Sequence, residues 1–155
     1  MVRKENSKLN LLSKKTMNVP VISTVVAAIL IILQQSLMLN VGMHRAKTQI
    51  GIGVGKDDIL ERKVRRHGNL AENSALFVVT LALTELRGAP SIIVIGFGAV
   101  FVIARFFHAL GFSSLAGSHL TEGSKMFQIM RAIGAMGTVF TGVALGGFLL
   151  FTIKA

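Results

Sequence analysis

Apolar residues occupy four long runs in this chain, separated by polar segments rich in charged residues, glycine and serine. The runs predict helices at about 19–42, 62–86, 91–111 and 126–153. Each predicted helix can cross a hydrocarbon layer of about 30 Å at about 1.5 Å per residue. We therefore predict an all-α fold, an integral membrane four-helix bundle, formed by a single domain over 1–155 with a basic arm at 1–17.

Composition supports a membrane environment. Hydrophobic residues make up 52% of the chain and charged residues only 15%, which is more apolar than 155 residues can hide from water in one soluble core. The chain contains no cysteine, so disulfides, thiolate metal sites and a cysteine nucleophile are excluded. Any thiol chemistry must use a thiol that belongs to a ligand.

The chain is strongly basic, with a formal net charge of +10. Since the basic residues flank long apolar runs, membrane lipid with anionic headgroups is the expected partner and nucleic acid is not. A basic site for a small anionic molecule is the sharper hypothesis. The cations are spread almost evenly over the two predicted membrane sides, so they do not indicate the orientation.

Small residues recur at every fourth position of the fourth predicted helix. They are Gly134, Thr138, Gly142 and Gly146. Such a stripe allows another helix to approach closely, and close packing is its simplest interpretation.

Ionisable residues lie inside the predicted helices, where each costs about 2.5–3.5 kcal/mol at the membrane centre. Arg65, Asn69 and Glu72 share one face of the second helix, and Arg105 and His108 share one face of the third. If these helices are antiparallel neighbours, both sets lie toward the same membrane surface. They then form either a charge pair that sets helix register or a net-positive pocket for a ligand. Histidine spacing predicts no metal site.

Two segments carry a family resemblance. The stretch Glu61-Arg-Lys-Val-Arg-Arg-His-Gly-Asn-Leu-Ala-Glu72 resembles the signature of the MAPEG family, the membrane-associated proteins in eicosanoid and glutathione metabolism. The segment from Ala104 to Phe112 is similar to the polar spacing on that family's third helix. The segment His67-Gly-Asn-Leu-Ala-Glu72 looks most like the bacterial branch of the family. This resemblance implies a multi-pass protein of the bacterial inner membrane.

The resemblance implies a homotrimer that holds glutathione, as co-substrate, between adjacent subunits. It implies a membrane-bound glutathione-dependent transferase or peroxidase acting on hydrophobic electrophiles, with the thiolate stabilised by arginine. Arg105 and Arg131 would be the catalytic residues. The expected glutathione ligands are Arg45, Arg65, Asn69, Glu72, Arg105 and His108.

Two departures from the family pattern leave catalysis open. Catalytic members often have a tyrosine where this chain has Phe112, and another where it has Asn73. Phenylalanine cannot donate a hydrogen bond to a thiolate. The alternative is a non-catalytic protein of the same fold that binds glutathione or another small anion, or that has a structural role. A small transporter is a weaker alternative, because the helices show no broken segment or inverted repeat.

Overall fold

The computed structural model describes residues 19–114 and 125–153, which form four α-helices and no strand in those ranges. They are α1 Val21–Thr48, α2 Asp58–Leu86, α3 Ser91–Gly111 and α4 Lys125–Ile153. The all-α, four-helix prediction is confirmed for the described residues. The predicted basic arm at 1–17 and residues 115–124 of the second polar loop lie outside them.

The first two helices are longer than the apolar runs that predicted them. α1 continues to Thr48 and ends at Gln49, whose φ of 58° is left-handed. α2 already begins at Asp58, because the Asp57 carboxylate accepts a hydrogen bond from the Leu60 backbone N–H at 2.9 Å and caps the helix. The predicted ranges were too short because helical hydrogen bonding continues further into the polar segments than the hydropathy pattern indicates.

Consecutive helices run antiparallel. The most extensive contact joins α3 to α4, followed by that between α1 and α2. Gly88, with φ of 82°, lies in the turn that joins α2 to α3. The Glu85 carboxylate accepts hydrogen bonds from the backbone N–H groups of Ile22 and Ser23 at 2.9 and 2.8 Å. The C-terminal end of α2 therefore caps the N-terminal end of α1.

The core is apolar and the outer surface is apolar too. Phe77 of α2 stacks on Phe101 of α3 with ring centroids 3.6 Å apart, while large aliphatic side chains such as Ile92 and Val143 are exposed. Such a surface is suited to lipid. Three helices, α1, α3 and α4, are long and apolar enough to span a membrane. α2 does not reach that standard, because its first half is densely charged.

Candidate functional site

A buried arginine lies at the centre of the contact between α3 and α4. Arg105 is only 2% exposed, and it donates to the Thr138 hydroxyl at 2.9 Å and to Nδ1 of His108 at 3.3 Å. Because a guanidinium can only donate, Nδ1 of His108 is the acceptor and the neutral ring carries its proton on Nε2. Within residues 19–114 and 125–153 no carboxylate pairs with Arg105. No carboxylate of the described residues therefore compensates its positive charge.

Glycine on α4 lets that helix approach the arginine so closely. A Cβ atom at Gly134 would lie 2.6 Å from the carbonyl oxygen of Ala104. Thr138, one turn later, donates its hydroxyl proton to the Gly134 carbonyl at 2.8 Å and so presents its lone pairs to Arg105. The predicted close approach is confirmed for this half of the small-residue stripe. At Gly142 and Gly146 an added Cβ would meet nothing within 4 Å.

Phe112, at the end of α3, lies in a buried aromatic environment. Phe112 is 7% exposed, and its ring centroid lies 5.0 Å from that of His108. The guanidinium carbon of Arg131 lies 4.5 Å from the same ring centroid, so Phe112 offers a cation–π contact instead of a hydroxyl. Arg105, His108, Phe112 and Arg131 thus form one polar–aromatic cluster, which we call the Arg105 cluster.

The predicted residues of α2 lie on its outer side. Arg65 is exposed and its guanidinium is 3.6 Å from the Glu61 carboxylate, a pair that contributes little in water. Asn69 donates to the carbonyl of Arg65 at 3.3 Å. Glu72 is exposed and has no hydrogen-bond or ion-pair partner among the described residues. In the described structure, none of these side chains forms a hydrogen bond or ion pair with Arg105.

A cavity connects the two sets of residues. It has a volume of about 320 Å³ and lies between α2, α3 and α4. Glu72 lines it on one side and Thr138, the partner of Arg105, on the other. The other lining residues are Asn73, Leu76, Phe77, Thr80, Phe101, Gly142, Leu145 and Gly146. The cavity is therefore lined by apolar side chains, by a carboxylate that has no partner among the described residues, and by the threonine that binds the buried Arg105.

Within the single chain, Arg45 binds backbone carbonyls of the loop between α1 and α2. Its guanidinium donates to the carbonyls of Ile50 at 3.0 Å and Gly53 at 2.8 Å, with a longer bond of 3.4 Å to Gly51. It therefore orders the loop between α1 and α2. As a predicted glutathione ligand, it would have to share these bonds with the ligand or release them.

Sequence reasoning missed a second polar network at the same end of the bundle. Nε2 of His44 lies 2.8 Å from the Asp57 carboxylate, and Lys63 donates to Nδ1 of His44 at 3.3 Å. Hydrogen bonds, first from the Leu60 N–H and then with His44, lower the pKa of Asp57 below its ordinary value of 3.8, against a smaller opposing effect of burial. The only sequence signal was Asp57 just before a helical pattern, which is typical of a helix cap.

Sequence reasoning also missed a hydrogen bond between two helices at this end of the bundle. Nη1 of Arg62 donates to the carbonyl of Phe112 at 2.8 Å, which joins the start of α2 to the end of α3. Among the described residues no group of three His, Asp or Glu side chains is arranged to hold a metal ion.

The fold and the site together define the class of protein: a helical membrane protein with a buried cationic cluster beside a cavity. The model of the MAPEG family matches residues 23–151, which is most of the chain, and the protein therefore belongs to the MAPEG family. No curated protein shows significant similarity to the chain.

Proposed function

We propose that this protein is a membrane-bound, glutathione-dependent transferase or peroxidase that acts on hydrophobic electrophiles and assembles as a homotrimer. Family membership supports the glutathione-related class. The proposal depends above all on Arg105, a buried guanidinium without a carboxylate partner in the described ranges. Arg105 donates a hydrogen bond to Thr138, and Thr138 lines the cavity. The bacterial inner membrane as its location is also part of the proposal, supported by the resemblance to the bacterial branch.

Glutathione offers groups that complement the predicted ligands. It has two carboxylates, one ammonium and one thiol. Arg65 and Arg45 would bind the carboxylates in the bidentate geometry that guanidinium favours, and Asn69 would add a hydrogen bond. Glu72, whose carboxylate is free in the described part of the chain, would receive the ammonium.

The Arg105 cluster would then act on the sulfur. A free thiol with a pKa near 8.5 is mostly protonated at neutral pH, and a nearby guanidinium favours the thiolate, which is the nucleophile. In a transfer reaction the sulfur forms a bond to the electrophilic carbon, and the leaving group departs with the bonding electron pair. The thiol proton passes to water. Arg131 and His108, beside Phe112, would complete the polar surroundings of the sulfur.

A trimer explains why the predicted ligands lie apart in one chain. Arg65 and Glu72 are on an exposed side of α2, and Gly142 and Gly146 leave open space at the cavity. A neighbouring subunit against that side would convert an open cavity into an enclosed site. Four membrane-spanning helices per subunit are part of this proposal, with the charged first half of α2 at the interface and its apolar second half in the hydrocarbon.

A glutathione titration of detergent-purified protein tests the proposal. Calorimetry should show saturable binding at millimolar glutathione, and the Arg65→Ala variant should bind at least about tenfold more weakly, since a hydrogen bond to a charged group contributes about 1.5–3 kcal/mol. Arg87→Ala is the matched control, because Arg87 follows the opposite end of α2 and bonds to the Thr152 carbonyl. Absence of saturable binding to the wild-type protein would end the proposal.

Phe112 favours a second candidate, a non-catalytic family member that binds glutathione. Its ring contacts His108 and Arg131 but cannot donate a hydrogen bond to a thiolate. A conjugation assay with a chlorinated aromatic electrophile separates the candidates. If only the hydroxyl is missing, wild-type protein binds glutathione without turnover, and Phe112→Tyr gains both turnover and the ultraviolet absorbance of bound thiolate.

A further inference from the structure

A cluster of cations lies at the start of α2, separate from the Arg105 cluster. Arg62 and Arg66 are one helical turn apart on the same face, and Lys63 lies beside them. Arg62 bonds to the Phe112 carbonyl and Lys63 to His44. Arg66 is more than half buried by its surroundings, yet it donates no hydrogen bond in the described residues. We call these three residues the basic cluster.

No carboxylate of residues 19–114 and 125–153 forms an ion pair with the basic cluster. Asp57, whose charge acts favourably on Lys63, already accepts hydrogen bonds from His44 and from the Leu60 N–H. Glu61 pairs with Arg65, which is not a member of the basic cluster. The Arg62 and Arg66 guanidinium groups repel each other, and both repel the Lys63 ammonium. Like charges held together and partly removed from water are costly unless an anion binds them.

The position of the basic cluster indicates which anion. Phe112 directly follows α3, one of the helices apolar enough to span the membrane, and Arg62 is bonded to its carbonyl. Arg62 is therefore level with the end of a membrane span, where lipid headgroups lie. Arg66 is about 6 Å further along the helix axis, toward the hydrocarbon. From there a long arginine side chain reaches back to the interface.

We propose that Arg62, Lys63 and Arg66 bind the phosphate of an anionic membrane lipid, which comes from the leaflet at this end of the bundle. Arg66, whose guanidinium has no partner among the described residues, supplies N–H groups for a bidentate contact. Lys63 adds a point charge, and Arg62 holds the phosphate level with the end of α3. Lipid binding offsets the repulsion within the cluster and ties α2 to α3. This site is additional to the proposed glutathione site, which uses Arg65.

Lipid retention in nanodiscs tests this proposal with the full-length protein. The bilayers contain phosphatidylcholine alone, or phosphatidylcholine with a minority of phosphatidylglycerol, and native mass spectrometry counts the phosphatidylglycerol molecules that stay bound. Arg66→Gln is the main variant, because it breaks no hydrogen bond within the described residues. Lys56→Gln is the matched control, with the same charge change at an exposed position in the adjacent loop.

A specific phosphate site and nonspecific attraction of cations to the membrane surface predict different losses of phosphatidylglycerol affinity. A bidentate bond to a charged phosphate contributes about 1.5–3 kcal/mol, so Arg66→Gln should weaken phosphatidylglycerol binding roughly tenfold to hundredfold. One surface cation contributes about 1 kcal/mol, so Lys56→Gln should lose no more than about fivefold. Equal losses in the two variants would overturn the proposal.

Two further measurements complete the test. Thermal unfolding in lipid-free detergent should show Arg66→Gln at least as stable as wild type, which excludes a folding defect as the cause of lost lipid. Inorganic phosphate is then titrated into the phosphatidylcholine nanodiscs. If phosphate stabilises the protein there and prevents phosphatidylglycerol binding, the ligand is a soluble anion and the lipid assignment is wrong. Glutathione should leave lipid retention unchanged.

Discussion

At the scale of single residues, the Arg105–Thr138 hydrogen bond is the contact on which the buried site depends. The threonine hydroxyl accepts from Arg105 at 2.9 Å and donates to the Gly134 carbonyl. It thus uses both its proton and a lone pair. A buried guanidinium that loses such an acceptor keeps its desolvation cost without compensation.

Thr138→Val should therefore destabilise the protein by about 1–3 kcal/mol, since it leaves a buried donor unsatisfied while it preserves the side-chain shape. The measurement is thermal unfolding in detergent, followed by circular dichroism. Thr141→Val is the matched control: Thr141 is equally buried at 6% exposure and its hydroxyl donates only to the Gly137 carbonyl of the same helix. Similar losses in both variants would contradict a special role for Thr138.

Asp57 is the second residue whose chemistry leads to a prediction. Its pKa is lowered in the folded protein, first by the Leu60 N–H and then by His44. A carboxyl with a lowered folded pKa contributes stability above its unfolded pKa, near 3.8, and that contribution disappears as the pH falls through the folded value.

Asp57→Asn should accordingly be less stable than wild type near neutral pH, and the difference should shrink as the pH falls below about 4. Melting temperatures of both proteins over a pH series provide the measurement. Asp58→Asn is the control, because Asp58 is exposed and one position away. A difference between wild type and Asp57→Asn that stays constant down to acidic pH would show that the charge of Asp57 is not involved.

At the scale of secondary-structure elements, the packing of α4 on α3 places the buried site. Gly134 and Gly137 allow the two backbones to come close together around Ala104. Apolar side chains provide little drive for association between helices in lipid, so close backbone contact and buried hydrogen bonds must hold the pair. Arg105 and Thr138 meet only because these glycines are there.

Gly134→Ala should separate α3 from α4. The added methyl group would lie 2.6 Å from the Ala104 carbonyl oxygen and 2.7 Å from the His108 Cα atom, both backbone atoms, and overpacking of this kind costs about 1–3 kcal/mol. Thermal unfolding in detergent checks the effect. Gly147→Ala on the same helix should be neutral or slightly stabilising, because an added Cβ meets nothing within 4 Å there and alanine favours helix. Two equally stable variants would contradict this account of the contact.

At the scale of the whole molecule, hydrogen bonds between helices at both ends of the bundle hold it together. Arg62 joins α2 to α3 at one end, and Glu85 joins α2 to α1 at the other. Both sets of hydrogen bonds use charged side chains at helix ends, where polar groups are in contact with water or lipid headgroups. The outer side of α2 with Arg65 and Glu72 remains uncovered in the single chain.

The proposed trimer makes that uncovered side a contact between subunits. Light scattering on detergent-purified protein, corrected for bound detergent, should give three times the 16.6 kDa of one chain. Added glutathione should stabilise the trimer against dissociation, because a ligand held between subunits binds the assembled form only. A monomer that binds glutathione with the same affinity would show that one chain forms the whole site.

Local properties of the sequence were enough to predict the class of protein. Apolar runs and helical spacing indicate a membrane helix bundle, because hydropathy and periodicity depend on neighbouring residues. The motif with Arg65, Asn69 and Glu72 was enough to indicate the family, which the family model confirms. The helix ends were less predictable, since Asp57 extends α2 into a segment that hydropathy assigned to a loop.

Only the tertiary structure decided which polar groups meet. Arg105 and Thr138 are 33 positions apart, and Arg62 and Phe112 are 50 apart, so no short-range pattern pairs them. Their contacts follow from the rotation and depth of one helix against the next, which glycines and caps determine. For this reason the sequence by itself identified the charged residues of the helices, while the fold determined that Arg105 is buried beside a cavity, that Arg45 orders a loop, and that Arg66 remains without a partner in the described chain.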